Sequence, residues 1–225
     1  SMFANQILSV SNYCKKNLPP MLNKKIRVIK NFFSHDLIKK SEITNKKIIA
    51  YVANYKQQKR PELFFKIANE VFNSNIKNIN FYIFGTYSNN DKNKLLRLIN
   101  KESCKNKISF MGLKFPMGPW IRKSTLTLSL GKNEGFGRVL IESMLNKSLV
   151  IATSGGAHEE IIKNGHNGII VNGLDPKDIS KKILFYLENQ KKMKKIIDRA
   201  FSYSKKNFIT LNTSKEIEDL YCDIL

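Results

Sequence analysis

No apolar run in the 225 residues approaches the roughly 20 that a membrane-spanning helix needs; the longest uninterrupted stretches, such as Ile48 to Ala53, fall far short. The first residues carry no signal-type apolar core either. Cysteine is scarce. Cys14, Cys104 and Cys222 are odd in number, far apart and without C-x-x-C spacing, which argues against a disulfide framework and predicts reduced, structural thiols. The three histidines, His35, His158 and His166, form no ligand-spaced cluster, and no D-x-D pair offers a metal site, so no tightly held transition metal is expected. These absences predict a cytoplasmic protein whose contact with a membrane, if any, is peripheral and at its inner face. The 42% hydrophobic content is enough to bury a core and argues against disorder.

Acidic residues are also few. Thirty-nine Lys and Arg against 18 Asp and Glu give a formal charge of +21, large for this size. One explanation is compositional, since Lys and Asn are abundant throughout, as A/T-rich coding would produce. The functional explanations are an anionic small ligand, an anionic membrane surface or nucleic acid. Nucleic acid is the weakest, because the lysines are scattered without aromatic interleaving or a recognisable reader motif. The Lys-rich stretch from Gln190 to Lys195 reads as a solvated helix face.

From Lys47 onward, short β-branched or aromatic runs alternate with longer periodic segments, the pattern of β-α units that build a parallel sheet. Strands are predicted at Ile48 to Ala53, Ile79 to Phe84, Lys107 to Phe110, Leu126 to Leu130, Leu149 to Ala152 and Gly168 to Val171. Between them, Pro61 to Phe72 places Leu63, Ile67, Ala68 and Val71 on one helical face, and Val139 to Leu145 does the same with Leu140 and Met144. The expected class is α/β: a Rossmann-like, doubly wound parallel sheet with a helical C-terminus, the last helices lying near Ile179 to Leu187, Lys191 to Phe208 and Ser214 to Ile224. Before the repeat, Ile7 to Val10 and Ile26 to Ile29 read as strands flanking a helix that runs up to Pro19.

The most informative segment is Glu134-Gly135-Phe136-Gly137-Arg138-Val139-Leu140-Ile141-Glu142, after a strand and opening a helix. Two glycines at such a turn let the backbone approach a ligand, and the free N–H groups of the helix start then face it, which suits a diphosphate. Glu134 precedes the turn and Glu142 follows about two helical turns later, so the carboxylates can contact separate parts of one extended ligand. Sugar hydroxyls are natural partners for both. His158 reads as a surface residue without a chemical role, and Tyr55, Phe64 and Trp120 as packing residues.

In this context the sequence resembles glycosyltransferase family 4, retaining enzymes of the two-domain GT-B architecture whose C-terminal domain carries E-G-F-G-x-x-x-x-E after a strand. Further landmarks match at Phe84-Gly85, Phe110-Met111-Gly112, Gly155-Gly156 followed by Glu159 or Glu160, and Asn167-Gly168-Ile169-Ile170-Val171. The family's V-G-R strand end with a Lys five residues after the Arg corresponds to Val52-Ala53-Asn54 with Lys59; the Lys is kept and the Arg position is Asn54. The resemblance implies catalytic roles for Lys59, on the donor diphosphate, and Glu134, on a sugar hydroxyl near the reacting carbon. It implies donor contacts from the amides of Gly135, Phe136 and Gly137, from Glu142 to the ribose and from Gly112 and Leu113 against the base. At Asn54, without the Arg, the second cation must be replaced by Lys56, Arg138 or a helix terminus.

The resemblance further implies three parts: residues 1–34 as a remnant of the acceptor domain and the interdomain crossing, 35–208 as the donor-binding domain, and 209–225 as a helix returning towards a missing N-terminal half. The implied activity is transfer of a sugar, with retention, from a UDP- or GDP-sugar to a glycan or lipid-linked acceptor in polysaccharide or lipopolysaccharide assembly. The implied chemistry needs no cofactor and no metal. The fragment alone is expected to be inactive. The alternatives are a non-catalytic nucleotide-sugar-binding subunit of a split transferase and, more distantly, a nucleic-acid-binding module.

Overall fold

The computed structural model describes residues 5–34, 47–209 and 212–222. Its centre is a six-stranded, wholly parallel sheet of β3 (Lys47–Val52), β4 (Ile79–Phe84), β5 (Ile108–Gly112), β6 (Leu126–Ser129), β7 (Leu149–Thr153) and β8 (Ile169–Val171), in the order β5-β4-β3-β6-β7-β8. Each strand lies within about two residues of its expected position, because β-branched and aromatic runs buried on both faces leave little freedom of register. In β7 all five residues are buried, and in β3 the central four. The chain winds outward from β3 to β5, then crosses back to β6 and winds the other way. The sequence order therefore reverses between β3 and β6, where an open α/β sheet leaves a crevice at the carboxyl ends of its strands.

Helices cover both faces. On one side α2 (Pro61–Phe72) and α8 (Pro176–Glu188) pack together over the sheet, with Phe64, Ile67, Val71 and Ile183 fully buried. Both helices start with proline, whose fixed φ and missing donor suit the first turn. On the other side α6 (Arg138–Leu145) packs against α9 (Gln190–Phe208), burying Leu140, Ile141, Met144 and Phe208. Four further helices complete the connections: α3 (Asn89–Leu96), α4 (Glu102–Lys105), α5 (Gly118–Arg122) and α7 (His158–Ile161). A capping box of Ser88 and Asp91 starts α3, a helix too polar to announce itself by apolar periodicity. Last comes α10 (Asn212–Cys222). No helix among the described residues is long and apolar enough to cross a membrane.

The N-terminal segment stands apart from that sheet. β1 (Ile7–Ser9) and β2 (Ile26–Val28) pair in parallel with each other only, with Ile7 opposite Ile26. Between them α1 (Asn12–Lys16) ends at Lys16, short of the expected Pro19, and a 3-10 turn over Pro20–Lys25 follows.

Candidate functional site

The crevice between β3 and β6 is a cleft of about 350 Å³. The ends of both strands, Lys59, and the turn from Glu134 to Val139 line it, with Val10 and Asn31 from the N-terminal segment at its rim. The sequence-predicted residues Lys59, Glu134, Gly135, Phe136, Gly137 and Arg138 therefore come together in one place.

Lys59 ends a 3-10 turn, Gln57–Lys59, between β3 and α2. Two bonds hold that turn against the sheet: the buried Tyr51 hydroxyl donates to the Lys59 carbonyl (2.6 Å), and the Lys132 amide donates to the Gln58 carbonyl (2.7 Å). Tyr51 is kept neutral, its pKa raised far above the usual tyrosine range by desolvation, then by nearby Tyr87, Glu62 and Glu134. From this base the Lys59 ammonium reaches across the crevice to Glu134 Oε2, 2.5 Å away. Their side chains are 30% and 22% exposed, so the pair is shielded yet open to a ligand.

Glu134 is held by its backbone as well as by the pair with Lys59. Its carbonyl accepts from Ala157 N at 2.7 Å, and a Cβ on Gly156 (φ +67°) would stand 2.4 Å from the Glu134 nitrogen. Only glycine lets the Gly155-Gly156 turn pass so close. After the turn, Gly137 takes φ +83° as the residue before α6, which starts without a side-chain cap. No acceptor among the described residues takes the amides of Gly135, Phe136, Gly137, Arg138 or Val139. Free amides at the positive end of a helix are chemically suited to an anion. The Phe136 ring itself is buried against Phe208, so only its backbone serves the cleft.

The N-terminal segment grips the far side of this turn. Ser11 Oγ (2.5 Å) and Cys14 Sγ (3.3 Å) both donate to the Gly135 carbonyl. The Glu160 carboxylate accepts from the amides of Asn12 and Tyr13 at the start of α1.

Three of the other predicted residues, Asn54, Leu113 and Glu142, line a neighbouring cleft of about 280 Å³ together with Lys114. Burial raises the Glu142 pKa above the usual carboxylate range, against the opposing pull of Arg138, whose Nη2 is 3.8 Å from Glu142 Oε1. Leu113 is 73% exposed, and Gly112, at the end of β5, is not among the lining residues. The Asn54 side chain turns to the loop after β4, accepting from Thr86 N at 2.9 Å. Of the candidate replacement cations, Arg138 lines the main cleft with its guanidinium over the Phe33 ring, 4.9 Å from the centroid, while Lys56 precedes the 3-10 turn on the surface.

His158 corrects the sequence reading. It is fully buried, not on the surface: Nδ1 lies 2.8 Å from the Thr153 carbonyl and Nε2 3.2 Å from Ser129 Oγ. Desolvation lowers its pKa and favours the neutral ring, which donates from Nδ1–H and accepts from the Ser129 hydroxyl. It ties the ends of β6 and β7 beneath the glycine turn. Tyr51, Lys132 and Gly156 also shape the site without having been singled out for it; of these, only the Gly155-Gly156 pair left a signal in the sequence.

A wholly parallel sheet with a glycine turn at its switch point defines a Rossmann-like α/β fold, in which ligands lie at the carboxyl ends of the strands. The chain belongs to the glycosyl transferases group 1 family, whose pattern matches residues 34–203. It is 26% identical over 208 residues to an uncharacterized glycosyltransferase of Methanocaldococcus jannaschii, covering 90% of this chain and 55% of that protein. It is 23% identical over 217 residues to the N-acetyl-alpha-D-glucosaminyl L-malate synthase of Bacillus anthracis, again 90% of this chain and 55% of the other. The chain thus spans about half the length of these curated relatives. Among solved structures, Anabaena HepE in complex with UDP-glucose superposes with a TM-score of 0.87 at 16% identity, over 98% of this chain and 64% of that one.

Proposed function

We propose that this chain binds the nucleotide-sugar donor of a retaining, family 4-type glycosyltransferase and supplies the groups that stabilise the departing diphosphate. The observation that carries the reading is the convergence of the Lys59 ammonium, the Glu134 carboxylate and the backbone of residues 135–139, whose amides have no acceptor among the described residues, on one cleft at the switch point. The diphosphate lies against those amides and Lys59. Negative charge grows on it as the glycosidic bond breaks, so these fixed positive groups stabilise the transition state more than the ground state. Glu134 exchanges part of its contact with Lys59 for a hydroxyl of the transferred sugar. Glu142, in the adjoining cleft, accepts from the ribose hydroxyls, and Leu113 covers the base. Asn54 is neutral, so in this reading the positive charge that the resembled family draws from an arginine there comes from the α6 amides and from Arg138. The reaction as proposed uses no metal.

The acceptor, a glycan or lipid-linked saccharide of envelope assembly, meets the donor on a surface beyond these residues. The relatives' greater length supports this division, as does the N-terminal segment seated on the glycine turn. Calorimetric titration with UDP, GDP and their sugars tests the reading. Saturable binding of a nucleoside diphosphate that survives moderate salt is expected. Binding seen only with long polyanions, with a steep salt slope, would reject it in favour of a nucleic-acid module.

A further inference from the structure

The donor cleft leaves most of the positive charge unexplained, and that charge is unevenly placed. Helix α9 carries seven cations in nineteen residues with one acid, Asp198, whereas the whole chain has 39 cations in 225 residues. Ile196, Ala200, Ser204 and Phe208 recur every fourth residue and are buried, which fixes the inner stripe of the helix. Lys191, Lys192, Lys194 and Lys195 are all exposed. So, further along, are Arg199, Lys205 and Lys206, and none of the seven forms a salt bridge among the described residues. Beside the helix lies an open groove of about 550 Å³, where His166 joins Arg199 and Lys206; the Asp198 carboxylate also lines it, so two cations face one acid there, with Ser202 and Asn207 as further polar groups. Next to the start of α9, Phe185 is 43% exposed, with the Lys192 ammonium 5.1 Å from its ring centroid.

We propose that this outward face of α9, with the groove along it, docks the protein on an anionic lipid bilayer. A plane of negative headgroups is the partner whose geometry matches seven cations spread along one helix face. The groove accommodates a headgroup phosphate between Arg199 and Lys206, and Phe185 supplies an aromatic edge at the interface. The apolar side of α9 is spent on the protein core, so the helix adsorbs rather than inserts. Binding is therefore electrostatic, reversible and screened by salt. The inference does not depend on the donor reading.

Co-sedimentation with vesicles of phosphatidylcholine containing roughly a third phosphatidylglycerol is the test, set against pure phosphatidylcholine. The chain should partition onto the anionic vesicles only and be released by about 0.5 M salt. Replacing Lys191, Lys192, Lys194 and Lys195 together by Gln should weaken partitioning by at least about 30-fold. The same charge removed elsewhere, by Lys66, Lys77, Lys101 and Lys163 to Gln, should cost no more than about three-fold. All eight side chains are exposed, and an unchanged melting temperature verifies folding in both variants. Equal losses in the two variants would reduce the effect to net charge and overturn the assignment. So would failure to bind anionic vesicles, or a preference for an RNA over vesicles of equal total charge.

Discussion

Removing the Lys59 ammonium is the sharpest perturbation of the donor site. A cation about 4 Å from a diphosphate oxygen, at an effective dielectric near 20, contributes roughly 4 kcal/mol before desolvation. The structure reduces that figure, because in the free protein the ammonium already has Glu134 at 2.5 Å and part of that attraction is exchanged when a ligand arrives. A net loss of about 1.4–2.5 kcal/mol remains for Lys59→Ala, equivalent to a roughly 10- to 70-fold rise in Kd. Isothermal titration calorimetry with UDP and GDP measures it. Lys59 is at the protein surface and its backbone, not its side chain, anchors the turn through Tyr51, so the melting temperature should move by less than about 3 °C. The double variant with Glu134→Gln checks that an unpaired carboxylate repelling the diphosphate is not the whole effect; it should remain at least about five-fold weaker than the parent. A Kd unchanged in Lys59→Ala, with folding intact, would refute the assigned role.

Other outcomes follow from the same geometry. Glu142→Gln should weaken UDP or GDP binding yet raise the melting temperature at pH 7, since burial makes the folded state bind a proton there more tightly than the unfolded chain does; denaturation and titration on one sample check both. Glu134→Gln should spare the free nucleotide and weaken the intact nucleotide sugar, and equal damage to both would misplace the two carboxylates. Gly156→Ala should cost at least about 2 kcal/mol in urea unfolding, because its Cβ meets backbone and the residue must hold a positive φ. The lowered pKa of His158 means that the unfolded chain takes up a proton first, so its contribution is intact above about pH 6.5 and is lost as pH falls below that value. In His158→Gln, unfolding free energy should therefore fall less steeply between pH 7 and 5.

Periodicity located the central strands well because each is a short run buried on both faces, whereas the edge strand β5 is mostly half-buried and its bounds shifted by up to two residues. It located α2 and α6 because each keeps one apolar stripe at helical spacing. The polar helix α3 and the single-turn helices α4 and α7 expose too much surface, or are too short, to carry a period. At the site, the glycine turn was legible because close backbone approach demands glycine, whereas Lys59 was legible only through the resembled family's pattern; the fold brings the two to one cleft. His158 was misjudged because its environment, the Thr153 carbonyl and the Ser129 hydroxyl, comes from two strands that only the fold brings together. Tyr51 was invisible as a site residue for a similar reason: within β3 it reads as one more buried aromatic.

The grip of Ser11 and Cys14 on the Gly135 carbonyl reaches beyond the contact itself. A peptide unit is planar and trans, so a carbonyl held on one side aims the following N–H to the other. Here that N–H is Phe136's, in the middle of the anion-binding turn. Any displacement of α1 that releases the carbonyl lets the peptide swing and takes an aligned dipole away from the cleft. The seating of the N-terminal segment and the affinity for an anion are thus one mechanical variable, and an ultraviolet or fluorescence reporter placed on α1 would read out occupancy of a cleft it never touches.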